Sequence, residues 1–322
     1  MSSASSRRSR RRISFGWVLL AIAILGFLFV AVSFLGLIGL TAMTRPDMLA
    51  GKVAVIRVDG LIVAGPSYGM FSGSVASGER IGDSIRRAAK DRAVKAIVLR
   101  LNSPGGSAAG AQEIYQELMR ARKRWGKPII ASMGDVAASG GYYVACAADR
   151  IVANASTVTG SIGVIYNQAD LSQLLKKLGY RQEVLKTGKF KDLGSYMRPL
   201  TSEERRLVQG LLDDTFDQFI KAVAQGRRLS ESRVRSLADG RVFTGRQALK
   251  LKLVDSLGNM RTAIELASRA AGIRGEPVVV EYGRPSLLEF LSPGYGYERS
   301  PFSRLLYSHL ASKLSPIQWS DR

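Results

Sequence analysis

Residues 128–143 read PIIASMGDVAASGGYY, an apolar run followed by a glycine pair and a second apolar stretch. The run 128–132 is typical of a buried strand, and residues 139–148 are typical of a short helix. This pattern places Ser139 at or near a helix N-terminus, where backbone N–H groups and the helix dipole favour a developing oxyanion. The simpler interpretation of Ser139 is an N-cap with no other role.

A second glycine pair follows the apolar run 96–101 (AIVLRL), in the sequence NSPGGS at 102–107. Because glycine has no Cβ, the backbone there can approach a substrate carbonyl closely. One N–H from Gly106 and one from Gly140 would then form an oxyanion hole. Each glycine pair alone is a weak indication, since tight strand-to-helix turns also use glycine.

Strand and helix candidates alternate over most of the chain. The further strand candidates are residues 53–58, 151–153 and 182–185, and the further helix candidates are 77–90, 107–125, 170–178, 202–225 and 261–271. A flexible Gly/Ser-rich connection is expected at 60–78 and a short element at 241–244. Alternating strands and helices indicate βαβ units, so we expect an α/β fold with a mainly parallel sheet.

Residues 13–43 carry no charge and are almost all apolar, and as a helix they would span roughly 46 Å at 1.5 Å per residue. A cleaved signal peptide has a shorter apolar core and a small-residue cleavage site, so we expect one retained transmembrane helix. Five arginines and no acid lie in residues 1–12, before this span. The bias predicts a cytoplasmic N-terminus and a single-pass protein of the cell (inner) membrane whose main domain is extracytoplasmic.

The residue inventory leaves few catalytic groups. The one histidine, His309, lies in a Pro- and Gly-containing tail at 283–322, so Ser-His-Asp and Cys-His sites are nearly excluded. The one cysteine, Cys146, cannot form an intrachain disulfide, and we expect it to be a buried, inert thiol. The sequence has no His/Cys cluster, and we expect no metal and no cofactor.

The formal net charge of the chain is +21 at pH 7. Such an excess suits anionic lipid head groups or acidic partners. Nucleic acid is the rival partner, but the sequence has no nucleic-acid-binding motif and no basic stripe with interleaved aromatic residues. We therefore expect a membrane partner and no nucleic acid.

Five motifs, in this order, carry a family resemblance. They are NSPGG at 102–106, GDVAASGGYY at 134–143, TGSIGV at 159–164, GKFKD at 188–192 and GRQALKLKLVD at 245–255. Over residues 52–282 the chain resembles bacterial signal peptide peptidase of the SppA type, in its short, single-copy form. The resemblance implies a Clp-protease/crotonase-like fold, a Ser-Lys dyad and the removal of signal-peptide remnants that the leader peptidase leaves in the membrane.

The same resemblance implies a role for each motif. The serine of the ASGG motif is the family's nucleophile, here Ser139, and the lysine of the G-x-x-K-D motif is its general base, here Lys191. Ser161 of TGSIG would hydrogen-bond this lysine, and Gly106 and Gly140 would line the oxyanion hole. Short-form members assemble into rings of eight subunits, in which the lysine of one subunit completes the site of its neighbour.

A lysine can act as a base only in an unusual environment, because at a reference pKa of about 10.4 only about one lysine in 2,500 is neutral at pH 7. Desolvation at an assembled, apolar site would lower that pKa. Lys186 and Lys189 compete with Lys191, and in an extended segment Lys189 and Lys191 share a face, so spacing alone cannot choose between them. The flanking Asp192 and the family motif favour Lys191.

Two rival functions stay open alongside an endopeptidase for signal-peptide remnants and other unfolded hydrophobic peptides. The first is crotonase-like acyl-CoA chemistry, against which stand the expected anchor and an extracytoplasmic location where CoA is absent. The second is a catalytically idle membrane scaffold of the same fold, against which stands the presence of both dyad residues. Labelling of Ser139 by a fluorophosphonate probe would separate the scaffold from the protease, since it requires an activated nucleophile.

Overall fold

The computed structural model describes residues 24–35, 51–65 and 75–283. Residues 24–35 form one helix, α1, in a unit that comprises residues 1–50, and all other elements belong to a second unit. Most of the predicted span 13–43, the basic segment 1–12 and nearly all of the tail 283–322 lie outside the described residues. Among the residues that are described, no helix is both long and apolar enough to cross a membrane.

The second unit alternates strands and helices along the chain. The strands are β1 Lys52–Asp59, β2 Leu61–Val63, β3 Val75–Ser77, β4 Val94–Ser103, β5 Ile129–Ala138, β6 Arg150–Ala153, β7 Val158–Gly160, β8 Val242–Thr244, β9 Ser256–Leu257 and β10 Val278–Tyr282. The helices are α2 Gly78–Lys90, α3 Ala108–Trp125, α4 Gly140–Ala145, α5 Ser172–Lys177, α6 Ser202–Arg227, α7 Glu231–Arg235, α8 Gly245–Lys250 and α9 Met260–Ala270.

The main sheet has the strand order β10-β1-β4-β5-β6-β9, and β7 extends it by pairing with β5 and β8. Its strand pairs are parallel except for β7 with β8. A second, two-stranded sheet joins β2 and β3, also in parallel. The predicted α/β fold with a mainly parallel sheet is therefore confirmed. Because the carboxyl ends of parallel strands lie at one edge of a sheet, the loops after β4, β5 and β7 are neighbours.

Helices cover both faces of the sheet, and β1 shows how the sequence allows this. Ala54, Ile56 and Val58 pack into the larger core cluster, which includes residues of α2, α3, α4 and α6. Val53 and Val55 point the other way, into a smaller cluster with residues of α9. Successive strand residues alternate between faces, so a strand buried on both sides needs a continuous apolar run. The runs at 53–58 and 96–101 have this character.

Two predictions about local structure are wrong. Residues 182–185, predicted as a strand, form none, and Leu185 is 90% exposed. Their side chains have a strand-like composition, but a strand also needs a neighbour to accept and donate backbone hydrogen bonds, and these residues have none among the described parts of the chain. The connection predicted at 60–78 contains β2 and β3 in its described residues.

The C-terminal end of α6 makes a tight contact with the end of α4. A Cβ added to Gly226 would lie 2.1 Å from the carbonyl oxygen of Cys146, so only glycine permits this approach. Next to it the Arg227 guanidinium, whose side chain is 5% exposed, donates to Asp255 at 2.9 Å. Asp255 also accepts from the Ile151 N–H at 2.7 Å, which connects α6 to the sheet. This contact fixes the C-terminal end of the long helix α6 beside the amino end of β6.

We predict that Gly226→Ala lowers the stability of the protein by about 1–3 kcal/mol, because the backbone oxygen of Cys146 cannot move away easily. Gly210→Ala in the same helix is the matched control, since a Cβ there meets nothing within 4 Å. The control should gain up to about 1 kcal/mol, as alanine is the better helix former. Thermal unfolding of both variants measures the difference, and an unchanged midpoint for Gly226→Ala would contradict the close approach.

Candidate active site

Ser139 connects β5 directly to α4, and its backbone is strained. Its φ is 51° and its ψ is −123°, a region that residues with a Cβ rarely adopt. Although Ser139 occupies the N-cap position of α4, its side chain makes no capping hydrogen bond. The interpretation of Ser139 as only an N-cap is therefore wrong. A serine on a sharp strand-to-helix turn is instead the arrangement in which hydrolases present a nucleophile.

Ser161 lies beside Ser139 because β7 runs parallel to β5. The register pairs Ala138 with Gly160, so the next residue of each strand is a serine, and neighbouring strands lie about 4.8 Å apart. The Ser139 N–H donates to the Gly160 carbonyl at 2.9 Å. Ser161 also has a positive φ, 49°, and both serines are half-buried. Two adjacent serines with left-handed backbones are a feature that residue types alone did not predict.

The loop after β4 brings the first glycine pair against the second. A Cβ on Gly105, which has φ +104°, would lie 2.7 Å from the backbone nitrogen of Gly140 and 2.8 Å from the Cβ of Ser139. A Cβ on Gly106, which has φ +146°, would lie 2.1 Å from the carbonyl oxygen of Ile62. Within the described residues, the N–H groups of Gly106 and Gly140 donate no hydrogen bond. Two unbonded amides thus stand next to Ser139, as an oxyanion hole requires.

A cavity of about 410 Å³ contains all four of these sequence-predicted residues: Ser139, Ser161, Gly106 and Gly140. Its remaining walls are formed by Ser107, Ala108, Ala111, Gln112, Tyr143, Gly163, Val164, Ile165, Thr215, Phe219 and Gly240. These walls are largely small or apolar, and they leave space for an extended chain with short or aliphatic side chains. The cavity could therefore hold a peptide segment against the Ser139 hydroxyl.

Aromatic stacking supports one wall of the cavity. The Tyr143 ring lies 5.2 Å from that of Phe219 on α6 and 5.1 Å from that of Tyr115 on α3, measured between centroids. Burial raises the pKa of Tyr143, so its phenol stays protonated near neutral pH. The stack links α3, α4 and α6, which makes this wall a packed surface.

Lys191 does not line this cavity within its own chain. It is exposed and lies in a turn, where its N–H donates to the Gly188 carbonyl at 3.1 Å. Among the described residues its ammonium group has no hydrogen-bond or ion-pair partner. Its two competitors are both paired, Lys186 with Asp192 at 2.5 Å and Lys189 with Glu203. The structure therefore separates the three lysines by their partners, which spacing could not do.

The other reactive groups of the chain have no place in this cavity. Cys146 is 1% exposed, and burial raises the pKa of its thiol to about 12, so the predicted buried and inert thiol is confirmed. In the described ranges, no group of three or more His, Cys, Asp or Glu side chains could hold a metal ion. His309 lies outside the described residues.

Comparison with known proteins shows the family to which the chain belongs. The profile of Peptidase family S49 matches residues 121–274. A protein of Synechocystis sp. described as a protease, slr0021, is 40% identical over 213 residues, which cover 65% of this chain and 76% of that protein. A protein of Enterococcus faecium described as signal peptide peptidase SppA is 33% identical over 231 residues, covering 72% of this chain and 67% of that protein.

A longer relative matches over the same region. Protease 4 of Haemophilus influenzae is 36% identical over 231 residues, which cover 72% of this chain but only 37% of that protein. The chain therefore spans little more than a third of this relative. The serine on a strained turn beside two unbonded amides agrees with these relatives. The chain therefore belongs to peptidase family S49 and is a serine protease of the SppA type.

Proposed function

We propose that this protein is a membrane-anchored endopeptidase that uses Ser139 as nucleophile and Lys191 as general base, and that it degrades signal-peptide remnants and other unfolded hydrophobic peptides. The observation that carries the proposal is the state of the Ser139 side chain. Ser139 occupies the N-cap position of α4, but its side chain does not cap the helix. The residue lines a cavity together with Gly106 and Gly140, whose N–H groups have no acceptor among the described residues. Such a hydroxyl is available to a substrate carbonyl.

The chemistry needs only groups that the chain carries. Neutral Lys191 Nζ takes the proton of Ser139 Oγ as Oγ bonds to the scissile carbonyl carbon, and the N–H groups of Gly106 and Gly140 stabilise the resulting oxyanion. Collapse of this intermediate breaks the C–N bond, and the leaving amine receives the proton from Lys191. Water then attacks the acyl-enzyme while Lys191 takes its proton, and the bond between the acyl carbon and Ser139 Oγ breaks as Lys191 returns the proton to Oγ. Ser161, beside Ser139, would hydrogen-bond the amine and orient it.

The pairing of the lysines supports Lys191 as the base. A lysine that is held in an ion pair must break that pair before its amine can reach a serine hydroxyl. Lys186 and Lys189 are held in such pairs by Asp192 and Glu203. Lys191 has no counter-ion among the described residues, so its side chain can extend toward a second copy of the chain without breaking an ion pair.

The position of Lys191 supports a site that is shared between subunits. Residues 162–201, which carry Lys191, form only the short helix α5 and expose large apolar side chains, among them Ile165 at 82%, Leu178 at 71% and Leu185 at 90%. Large apolar side chains exposed in this number on one segment are typical of an interface. Against a second copy, the segment could pair its backbone, bury its apolar side chains and bring Lys191 to the Ser139 of a neighbouring subunit. A closed homo-oligomeric ring, of eight subunits by the family resemblance, is the proposed assembly.

The proposal of a membrane anchor is based on the amino-acid sequence. Residues 13–43 are long and apolar enough to span a bilayer, and the five arginines before them favour a cytoplasmic N-terminus. We therefore assign residues 1–12 to the cytoplasm, 13–43 to the anchor, 52–282 to the peptidase domain outside the cytoplasm and 283–322 to a C-terminal tail. This topology would keep the cavity close to peptides that the membrane retains.

We expect Ser139→Ala to lower peptide cleavage by about 10³-fold or more, because the nucleophile is lost while the fold is kept. The measurement is cleavage of a synthetic signal peptide, followed by mass spectrometry, with a folded protein as the non-substrate. Loss of fluorophosphonate labelling in the same variant identifies the reactive residue. Near wild-type turnover by Ser139→Ala would end the assignment of the nucleophile.

We expect Lys191→Ala and Lys191→Arg to be comparably inactive, the second because an arginine keeps its charge but cannot give up a proton. The matched controls, Lys186→Ala and Lys189→Ala, should keep most activity at their own pH optima. Turnover of the same peptide over a range of pH tests this. If Lys189→Ala is inactive and Lys191→Ala is tolerated, the base is Lys189.

Mixed rings test whether the site is shared. Ser139→Ala and Lys191→Ala chains, each inactive alone, should regain activity when they assemble together, since a neighbour can supply the missing group. Random mixing of equal amounts leaves about one junction in four with both groups, so recovery of about a quarter of wild-type activity is expected. Mass photometry first establishes that mixed rings form. Background activity in such rings would mean that both groups act within one subunit.

A further inference from the structure

Asp192 is the residue after Lys191, yet its carboxylate is bound by other cations. One oxygen, Oδ1, accepts from Lys186 Nζ at 2.5 Å, and the other, Oδ2, accepts from Arg198 Nε at 3.0 Å. The Asp192 side chain is 15% exposed. The hydrogen bond from Arg198, followed by that from Lys186, holds the pKa of Asp192 well below its usual range. The nearest carboxylate in sequence to Lys191 is thus charged but engaged on both oxygens.

Arg198 is itself fixed from the other side by Glu204. Its two terminal nitrogens donate to the two Glu204 oxygens at 2.8 and 2.6 Å, a bidentate pair. The Glu204 side chain is 2% exposed, and it also accepts from the Thr201 N–H at 2.8 Å in the capping box of α6. Hydrogen bonds from Arg198 and Thr201 lower the pKa of Glu204 to about 2. Arg198 therefore cannot move toward Lys191 or away from Asp192 unless its nearly buried ion pair with Glu204 breaks.

We infer that Arg198, together with Lys186, is a positioning residue that keeps the Asp192 carboxylate away from Lys191 and so leaves the base without a counter-ion. The inference rests on the proposed role of Lys191. The contacts on which it is based are independent of that role, because they join Asp192, Arg198 and Glu204 and do not involve the cavity.

Charge balance in this segment gives the inference its physical content. Between residues 186 and 204 the acids are Asp192, Glu203 and Glu204, and the cations paired with them are Arg198, Lys186 and Lys189. Each acid is satisfied by one or two of these cations. A free Asp192 would be the closest anion to Lys191 along the chain and would stabilise its protonated form, which is useless as a base. Because Asp192 is paired with other cations, Lys191 can act as a base although an aspartate directly follows it in the sequence.

The test is the pH dependence of peptide turnover by the full-length, assembled protein. Arg198→Gln frees Asp192 Oδ2, so the acidic limb of the profile should move to higher pH by about one unit, with little change at the alkaline plateau. The sign follows because activity needs neutral Lys191, and an adjacent carboxylate delays its deprotonation. The double variant Arg198→Gln/Asp192→Asn removes the carboxylate and should return the limb to its wild-type position.

Glu204→Gln is the structural control. It weakens the anchor of Arg198 and should lower the unfolding temperature, but it leaves Arg198 bound to Asp192 and should not move the acidic limb. An equal shift in Glu204→Gln, or a shift that persists in the double variant, would show a structural role only and overturn the inference.

Two further results complete the test. Should Arg198→Gln fail to fold, Lys186→Gln frees the other carboxylate oxygen and should shift the limb in the same direction by a smaller amount, and no shift there would overturn the inference. Fluorophosphonate labelling of Ser139 against pH should follow the same shifts. If Ser139→Ala and Lys191→Ala are inactive but Arg198→Gln leaves the pH profile unchanged, only the role of Arg198 is rejected. If Lys191→Ala is active, the proposed base is rejected.

Discussion

Backbone pairing at the carboxyl end of β5 determines the geometry of this active site. Parallel hydrogen bonding sets Ala138 opposite Gly160 on β7, and Ala137 opposite Ser103 at the end of β4. The three chains then diverge at one edge of the sheet, where parallel strands place their functional loops. A shift of one residue in either register would turn the side chains to the other face and separate the two serines. The relative positions of Ser139, Ser161 and the N–H groups of Gly106 and Gly140 all depend on this pairing.

Strain at this edge is maintained by the packing around it. The left-handed backbones at Ser139 and Ser161 are unfavourable by themselves, and such conformations persist only where surrounding structure requires them. Here the strand pairs fix the residues before each serine, and no Cβ is allowed at Gly105, which lies against the start of α4, or at Gly106, which lies against Ile62 of β2. The aromatic stack of Tyr115, Tyr143 and Phe219 then supports the opposite wall. The packed core thus holds the Ser139 side chain half-buried and without a capping hydrogen bond.

A serine protease that uses a lysine as its base, as proposed above, also has an electrostatic problem, which the segment before α6 addresses. A lysine base must be neutral, and the simplest way to prevent that is a neighbouring carboxylate. The chain places Asp192 directly after Lys191 but binds that carboxylate through Lys186 and Arg198, which in turn is anchored on Glu204. The same segment exposes apolar side chains that a second copy could cover, and such coverage would desolvate the amine further. In this proposal, the assembly of the subunits and the activation of Lys191 as a base therefore occur together.

The sequence alone determined the α/β class, the strands in apolar runs such as 53–58 and 96–101, and the position of Ser139 at a helix start, because apolar periodicity and glycine positions are local properties. It did not determine that 182–185 lacks a strand, since a strand depends on a partner that local composition does not describe. Nor could residue types predict the positive φ of Ser139 and Ser161, which strand pairing and close glycine packing impose. The choice among Lys186, Lys189 and Lys191 likewise depends on which acids lie near each ammonium group. Only the folded structure shows these pairs, because Lys186–Asp192 and Lys189–Glu203 form through the turns of the chain between residues 186 and 204, which spacing does not describe.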